Sequence, residues 1–287
     1  MRAEAVRLST ARHWAVQCRL PSINLGSVPS EIADIPGQTR CEVPSAILRV
    51  MKEEPASRMR AYWNERARLN APWYVDTSLD YQHPDMDLFF ASGESIVAEA
   101  LDGAPAVPAH HRLAVEIGSG LGRLCKPLAE RFEEVIGLDI SPEMVERARE
   151  LVGHPHIQFQ VSSGSDLDNV ADGSADLVLS FTVFQHISDR RIIATYVHEI
   201  GRILAPGGVA TFQWNSGRHP RLWHLRGRIV RAKERLTGGN RHGTNEAEFL
   251  GSRVPVATMR LWLRDAGLEL IETRGDGSLW TWAWATK

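Results

Sequence analysis

From residue 113 onward the chain alternates between short apolar runs and longer segments of helical period. Residues 113–117, 135–140, 157–161 and 175–181 read as strands. Between them, residues 121–132 and 142–151 carry helical spacing, the second with Ser141 placed as N-cap and Pro142 at the first helical position. A helix is expected over 189–204, stopped by Pro206-Gly207-Gly208, with a strand over 209–214. A last helix over 256–266 ends at Gly267, and two strands, 268–273 and 279–285, are joined through Gly275-Asp276-Gly277. Direct joining of those strands implies an antiparallel hairpin. The alternation predicts an α/β domain whose parallel sheet is wrapped by helices, and no internal repeat is visible.

The first fifty residues read differently. Pro21, Pro29, Pro36 and Pro44 recur too often for long helices, and apolar periodicity is weak, so 1–50 is expected to be an irregular extension. Arg2, Arg7, Arg12 and Arg19 beside Ser9 and Thr10 imitate a transit peptide, but Glu4 weakens that reading and the missing apolar core excludes a secretory signal. Met51 opens a more regular stretch in which Ser57 is placed to cap a helix through residue 69. The expected division is therefore 1–50, extension; 51–110, helical cap; 111–287, the α/β domain with an insert at 217–243.

Composition narrows the class without naming a chemistry. The 287 residues, 43% hydrophobic and 24% charged, are ordinary globular material, and no apolar run reaches the roughly 18 residues of a membrane span. Of 33 basic residues only Lys52, Lys126, Lys233 and Lys287 are lysine, yet the net charge is −2, which argues against a dedicated nucleic-acid binder. Cys18, Cys41 and Cys125 form no CxxC pair, and His219, His224 and His242 are scattered, so neither a disulfide framework nor a metal site is expected. A reducing cytoplasm fits this cysteine usage.

The chemistry begins between the first strand and first helix, in Glu116-Ile117-Gly118-Ser119-Gly120-Leu121-Gly122-Arg123. Glycines there permit a sharp turn and let an anionic group approach a helix N-terminus. Arg123 occupies the place of the third glycine in a dinucleotide fingerprint, so G-x-G-x-x-G fails and the spacing is E-x-G-x-G-x-G. That spacing resembles motif I of class I S-adenosylmethionine-dependent methyltransferases. The order of elements to the C-terminus, the Pro-Gly-Gly before the fifth strand and the Tyr62-Trp63-Asn64-Glu65-Arg66-Ala67 stretch resemble small-molecule members of the same family. The resemblance implies a Rossmann-like, seven-stranded, mostly parallel sheet with a C-terminal antiparallel hairpin and helices on both faces.

It also implies a cofactor, S-adenosyl-L-methionine, and a set of roles. Asp139, ending the second strand, would hold the ribose diol, with Ile140 and Met144 flanking the adenine. Glu116 and backbone near Phe181 would meet the methionine ammonium, while the amides of Gly118, Ser119, Gly120 and Gly122 would face its carboxylate, with Arg123 and Arg66 as further partners. Ser163 stands where the family has an acid for the adenine amino group. The alternatives are Ser163 itself, the amides at Gly164 and Ser165, or Asp166, and Asp166 is preferred. His186, in Phe181-Thr182-Val183-Phe184-Gln185-His186-Ile187, is either a general base or a packed residue beside the cofactor. Tyr62, Trp63, Arg66, Gln185 and Trp214 are expected on the acceptor side.

Two features fall outside the resemblance. The insert holds Arg218, Arg221, Arg226, Arg228, Arg231, Lys233, Arg235 and Arg241 against Glu234, with Leu222, Leu225, Ile229 and Leu236 on one helical face; it reads as a lid, or as a surface for an acidic acceptor, carrier or membrane. Trp280, Trp282 and Trp284 are expected to share one strand face, as core or as a stacking wall. The expected activity is methyl transfer to an O, N or C atom of a small-molecule acceptor, with secondary metabolism as a family association. The rivals are a nucleic-acid methyltransferase, an NAD(P)-dependent oxidoreductase and a noncatalytic cofactor-binding protein.

Overall fold

Strands form where apolar side chains alternate between two buried faces, and this chain does so strand after strand. In the computed structural model, which describes residues 45–217, 244 and 246–287, β1 (Leu113–Ile117), β2 (Glu134–Asp139), β3 (Ile157–Val161), β4 (Ala175–Ser180), β5 (Leu204–Trp214), β6 (Glu269–Arg274) and β7 (Thr281–Thr286) make one sheet. Its order is β3-β2-β1-β4-β5-β7-β6. The first five strands pair in parallel, and β7 lies antiparallel to both β5 and β6. By contact the chain divides into Met1–Glu54 and Pro55–Lys287.

The two faces carry separate cores. Val115, Val178, Phe212, Ala283 and Ala285 pack on one side with α5 (Arg190–Ile203) and α7 (Val256–Asp265). Ala114, Leu177, Leu179, Trp282 and Trp284 pack on the other with α2 (Met86–Leu101), α3 (Cys125–Ala129) and α4 (Pro142–Val152). Adjacent residues pointing to opposite faces make this two-sided burial, so the Rossmann-like sheet with helices on both faces is observed as expected.

Local chemistry explains the element ends. Ser141 caps α4, its hydroxyl accepting from Met144 N at 3.2 Å, with Pro142 in the first turn. Asp189 caps α5 by accepting from Arg191 N at 2.9 Å. α1 (Ser45–Val75) is longer than the helix expected to start after Ser57, which lies inside it. It breaks where that helix was expected to end: Asn70 is non-helical (φ −165, ψ 76) and its Oδ1 accepts from Trp73 N at 3.3 Å, restarting the helix with Pro72 in the new first turn.

Three expectations need correction. The helix expected over 121–132 is only Cys125–Ala129, because Gly122 takes φ +79, which no α-helix contains. Pro206-Gly207-Gly208 lies within β5 instead of before it: Ala175 pairs with Leu204 and Leu177 with Val209, a bulge in which Gly207 has φ +76. Trp280 precedes β7 and is 57% exposed, so only Trp282 and Trp284 share the strand face, stacked at 5.4 Å with interplanar angle 11°. Both indoles are core, donating to Thr211 Oγ1 at 2.5 Å and Ala100 O at 3.0 Å. Of the extension expected over 1–50, residues 45–50 are helical within α1 and not irregular, while 1–44, and residues 218–243 of the insert expected over 217–243, lie outside the described residues. Among the described residues no helix is long and apolar enough to cross a membrane, and no group of three or more His, Cys, Asp or Glu is arranged to hold a metal ion.

Candidate functional site

The strand order reverses between β1 and β4, and the crevice beyond the carboxyl ends of such strands is where open α/β sheets bind ligands. A cavity of about 1000 Å³ opens there, at the upper end of the range usual for small-molecule sites.

The first strand runs into a loop that glycine alone can make. Gly118, Gly120 and Gly122 all have positive φ, +77, +51 and +79. A Cβ on Gly118 would lie 2.2 Å from Val183 Cγ2, and one on Gly122 would lie 2.6 Å from the Phe159 ring. The loop amides are held by the protein itself: Gly118 N and Ser119 N donate to Leu138 O at 2.7 and 3.0 Å, Gly120 N to Asp139 Oδ2 at 2.9 Å, and Gly122 N to Ser119 O at 2.8 Å. The expectation that these amides face a ligand carboxylate is therefore corrected. They fold the loop onto β2, and Gly122 packs beneath the cavity instead of lining it.

Two carboxyl groups line this end. Asp139 is buried, accepts from Gly120 N and, at 2.8 Å through Oδ1, from Ser141 N. Burial dominates those bonds and pushes its carboxyl up to about 6. Glu116 accepts from Cys125 Sγ at 2.9 Å; burial pushes it up to about 8, with the neighbouring Asp139 adding to the rise and Arg123 opposing it. Arg123 is itself buried and paired with Asp76 at 2.6 Å, bonded to Ser92 Oγ at 3.0 Å and laid over Phe89 and Phe181. Its Nε and Ser119 Oγ are buried without a hydrogen-bond partner. Ile117, Ile140, Met144, Ser162, Gly164 and Phe181 complete this half.

Ser163 and Asp166 are not on the cavity wall. Ser163 Oγ accepts from Ser165 N and Asp166 N at 3.0 and 3.1 Å, which turns the loop, and Asp166 receives Ser165 Oγ at 3.4 Å. Of this loop, Ser162 and Gly164 face the cavity. Tyr62, Arg66 and Trp214 also lie off it. Arg66 stacks over Tyr62 at 4.7 Å and pairs with Glu65 at 3.7 Å, while Trp214 is buried and donates to Val254 O at 2.9 Å.

The other half is built by the 3₁₀ turn Phe184–His186, the stretch around α6 (Ala247–Leu250), α1 and residues 279–280. Trp63, Gln185 and His186 line it, together with Met59, Thr77, Asn215, Phe249, Arg253 and Trp280. His186 Nδ1 bonds Phe249 O, and Gln185 Nε2 lies 3.4 Å from His186 Nε2. Because Phe249 O only accepts, Nδ1 carries the proton and Nε2 keeps its lone pair. Burial lowers the pKa of the ring, so it is neutral at physiological pH. Trp63 and Phe249 pack on it at 5.4 and 4.9 Å. Thr182, at the end of β4, adopts φ 56 beside this wall, a strained conformation for a β-branched residue.

Comparison with known proteins finds methyltransferases. A family model described as a methyltransferase domain matches residues 115–212. The chain is 28% identical over 163 residues to Ubiquinone biosynthesis O-methyltransferase of Xanthomonas euvesicatoria pv. vesicatoria, covering 56% of this chain and 64% of that protein. It is 36% identical over 104 residues to Trans-aconitate 2-methyltransferase of Methylobacterium radiotolerans, covering 36% of this chain and 37% of that protein. The chain thus spans less than two thirds of the length of these relatives. The crystal structure of magnesium protoporphyrin IX methyltransferase from Synechocystis PCC 6803 with bound SAH shares its fold, with TM-score 0.51 and 20% identity over 80% of this chain and 99% of that one.

Proposed function

We propose that this chain, which carries a class I S-adenosylmethionine-dependent methyltransferase domain, transfers a methyl group to a hydroxyl of a small-molecule acceptor. The observation that carries the reading is a single cavity lined at one end by the buried carboxyls of Asp139 and Glu116 and at the other by a neutral imidazole with its Nε2 unprotonated.

The residues fit the cofactor. Asp139 has lone pairs beyond those used by Gly120 N and Ser141 N, and these suit a ribose diol. Ile140, Met144 and Gly164 offer a flat apolar slot for the adenine; a Cβ on Gly164 would lie 2.3 Å from Ile140 Cδ1 and close it. Glu116 suits an ammonium, whose charge would draw its carboxyl down from about 8 and ionise it. Ser119 Oγ and Arg123 Nε, buried without partners among the described residues, are donors that suit the anionic end of an amino acid. When bound, S-adenosyl-L-methionine supplies an electrophilic methyl group on a sulfonium.

The chain's own part is orientation, dryness and a proton acceptor. Met59, Trp63, Phe249 and Leu250 exclude water from the acceptor half. His186 takes the hydroxyl proton at Nε2, and the resulting cation is steadied by Phe249 O at Nδ1. The buried free thiol of Cys125, hydrogen-bonded to Glu116, suits a reducing cytoplasm. The two named relatives act, by their names, in ubiquinone biosynthesis and on trans-aconitate, which supports a small acceptor over a nucleic acid. The test is to incubate the protein with methyl-labelled S-adenosylmethionine and hydroxylated metabolites and identify the labelled product by mass spectrometry. Label transfer that survives His186→Gln unchanged would remove the base from the account.

A further inference from the structure

The two halves of the cavity differ in charge. Among the described residues that line it, the carboxyl groups are Glu116 and Asp139, both in the cofactor half, and the guanidinium groups are Arg123 and Arg253. Arg123 is neutralised by Asp76 at 2.6 Å. Arg253 donates through Nε to Ser216 O at 3.2 Å and, among the described residues, makes no ion pair with a carboxylate. Among the described residues, the acceptor half therefore holds one half-buried cation, anchored by a neutral carbonyl.

That cation is fixed relative to His186 by the backbone. Residues 249–252 lie against the 3₁₀ turn: Phe249 O takes His186 Nδ1, and Ser252 Oγ donates to Ile187 O at 2.7 Å. Gly251 has φ +57, and a Cβ there would meet Gln185 O at 1.8 Å, so only glycine permits this approach. Beyond Arg253, Val254 N donates to Asn215 O at 2.9 Å and ties the segment to the end of β5. Beside the base, Gln185 Oε1 is buried with no donor among the described residues. The aromatic side chains Trp63, Phe249 and Trp280 line the same cavity.

Resting on the reading of this half as the acceptor site, we infer that the acceptor is a hydroxylated ring compound bearing an anionic group, which Arg253 binds. The hydroxyl donates its proton to His186 Nε2, the ring lies against the aromatic wall, and the carboxylate or equivalent anion takes the free donors of Arg253. Arg253 is thus a specificity-determining residue, and reaction at an uncharged analogue is weakened by leaving its charge unanswered.

Trp63 and Trp280 provide the readout by fluorescence. The full chain is titrated with 4-hydroxybenzoate and with 4-hydroxybenzamide, which keeps ring and hydroxyl but lacks the charge, with and without saturating S-adenosylhomocysteine. The expected result is tighter binding of the acid by about 10- to 100-fold. The preference should disappear in Arg253→Gln, persist in part in Arg253→Lys, and shrink with added salt. S-adenosylhomocysteine affinity should stay within about twofold in both variants, since Arg253 lies in the other half of the cavity. Equal binding of acid and amide by the unmodified protein, or a preference that survives Arg253→Gln, overturns the inference. Loss of S-adenosylhomocysteine binding by the unmodified protein would instead fail the cofactor reading, and the acid–amide comparison without it still judges Arg253.

Discussion

Gly118→Ala isolates the contact that holds the cofactor loop against the end of β4. The new side chain meets two costs. One is conformational: φ +77 lies in the left-handed region, which costs a residue with a Cβ about 1–2 kcal/mol. The other is steric: the Cβ would lie 2.2 Å from Val183 Cγ2, 3.0 Å from Cγ1 and 3.1 Å from Cβ, where apolar carbons rest at about 3.5–4.0 Å. Overpacking of that kind costs about 1–3 kcal/mol, so the total loss is about 2–5 kcal/mol. Val183→Ala removes both offending methyls and leaves the 3.1 Å approach of Cβ. In the double variant the steric part should largely vanish while the backbone part of about 1–2 kcal/mol stays. Urea unfolding of the four proteins, followed by tryptophan fluorescence, measures the cycle. Strict additivity, or a Gly118→Ala protein as stable as the original, would refute the packing argument.

Other outcomes follow from the buried titratable groups. The Glu116 carboxyl sits at about 8 in the folded protein against its ordinary 4.5, so its contribution to stability is full below 4.5 and is lost as pH rises through 8. Glu116→Gln should flatten the fall in urea midpoint over that window, a difference of up to about 5 kcal/mol at its alkaline end; parallel profiles would show the carboxyl is not held neutral. His186→Gln should slow turnover by about 100- to 10,000-fold while leaving S-adenosylmethionine affinity nearly unchanged, and steady-state kinetics with direct binding separates the two. An equal loss in both would make His186 a packing residue of the cofactor site.

Much of this arrangement was legible because it is local. Strand periodicity, Ser141-Pro142 as a helix start, and three glycines after a strand are each dictated within a few residues, and all three appear in the structure. The extent of α3 was overestimated because the apolar spacing of 121–132 is helical while Gly122 is not. What escaped depends on contacts remote in sequence. Nothing near Arg253 marks it as a cavity residue; it arrives there because Gly251 tolerates the Gln185 carbonyl and Val254 bonds Asn215. Ser163 and Asp166 carried the right chemistry for an adenine contact, but the Ser163 hydroxyl is consumed by the turn that its neighbours make. Trp280 follows the alternation of Trp282 and Trp284, yet the turn at Gly275–Ser278 ends before it and leaves it at the cavity rim.

Asp139, at the end of β2, is proposed to anchor an adenosyl cofactor in this cavity. Isothermal titration of the full chain with S-adenosylmethionine, S-adenosylhomocysteine and NADH, repeated with Asp139→Ala, tests it most directly. Saturable binding of both adenosyl compounds and none of NADH is expected, with affinity reduced about 10- to 100-fold in Asp139→Ala through loss of hydrogen bonds to a charged group. Binding of NADH without S-adenosylmethionine, or an Asp139→Ala protein of unchanged affinity, would contradict it.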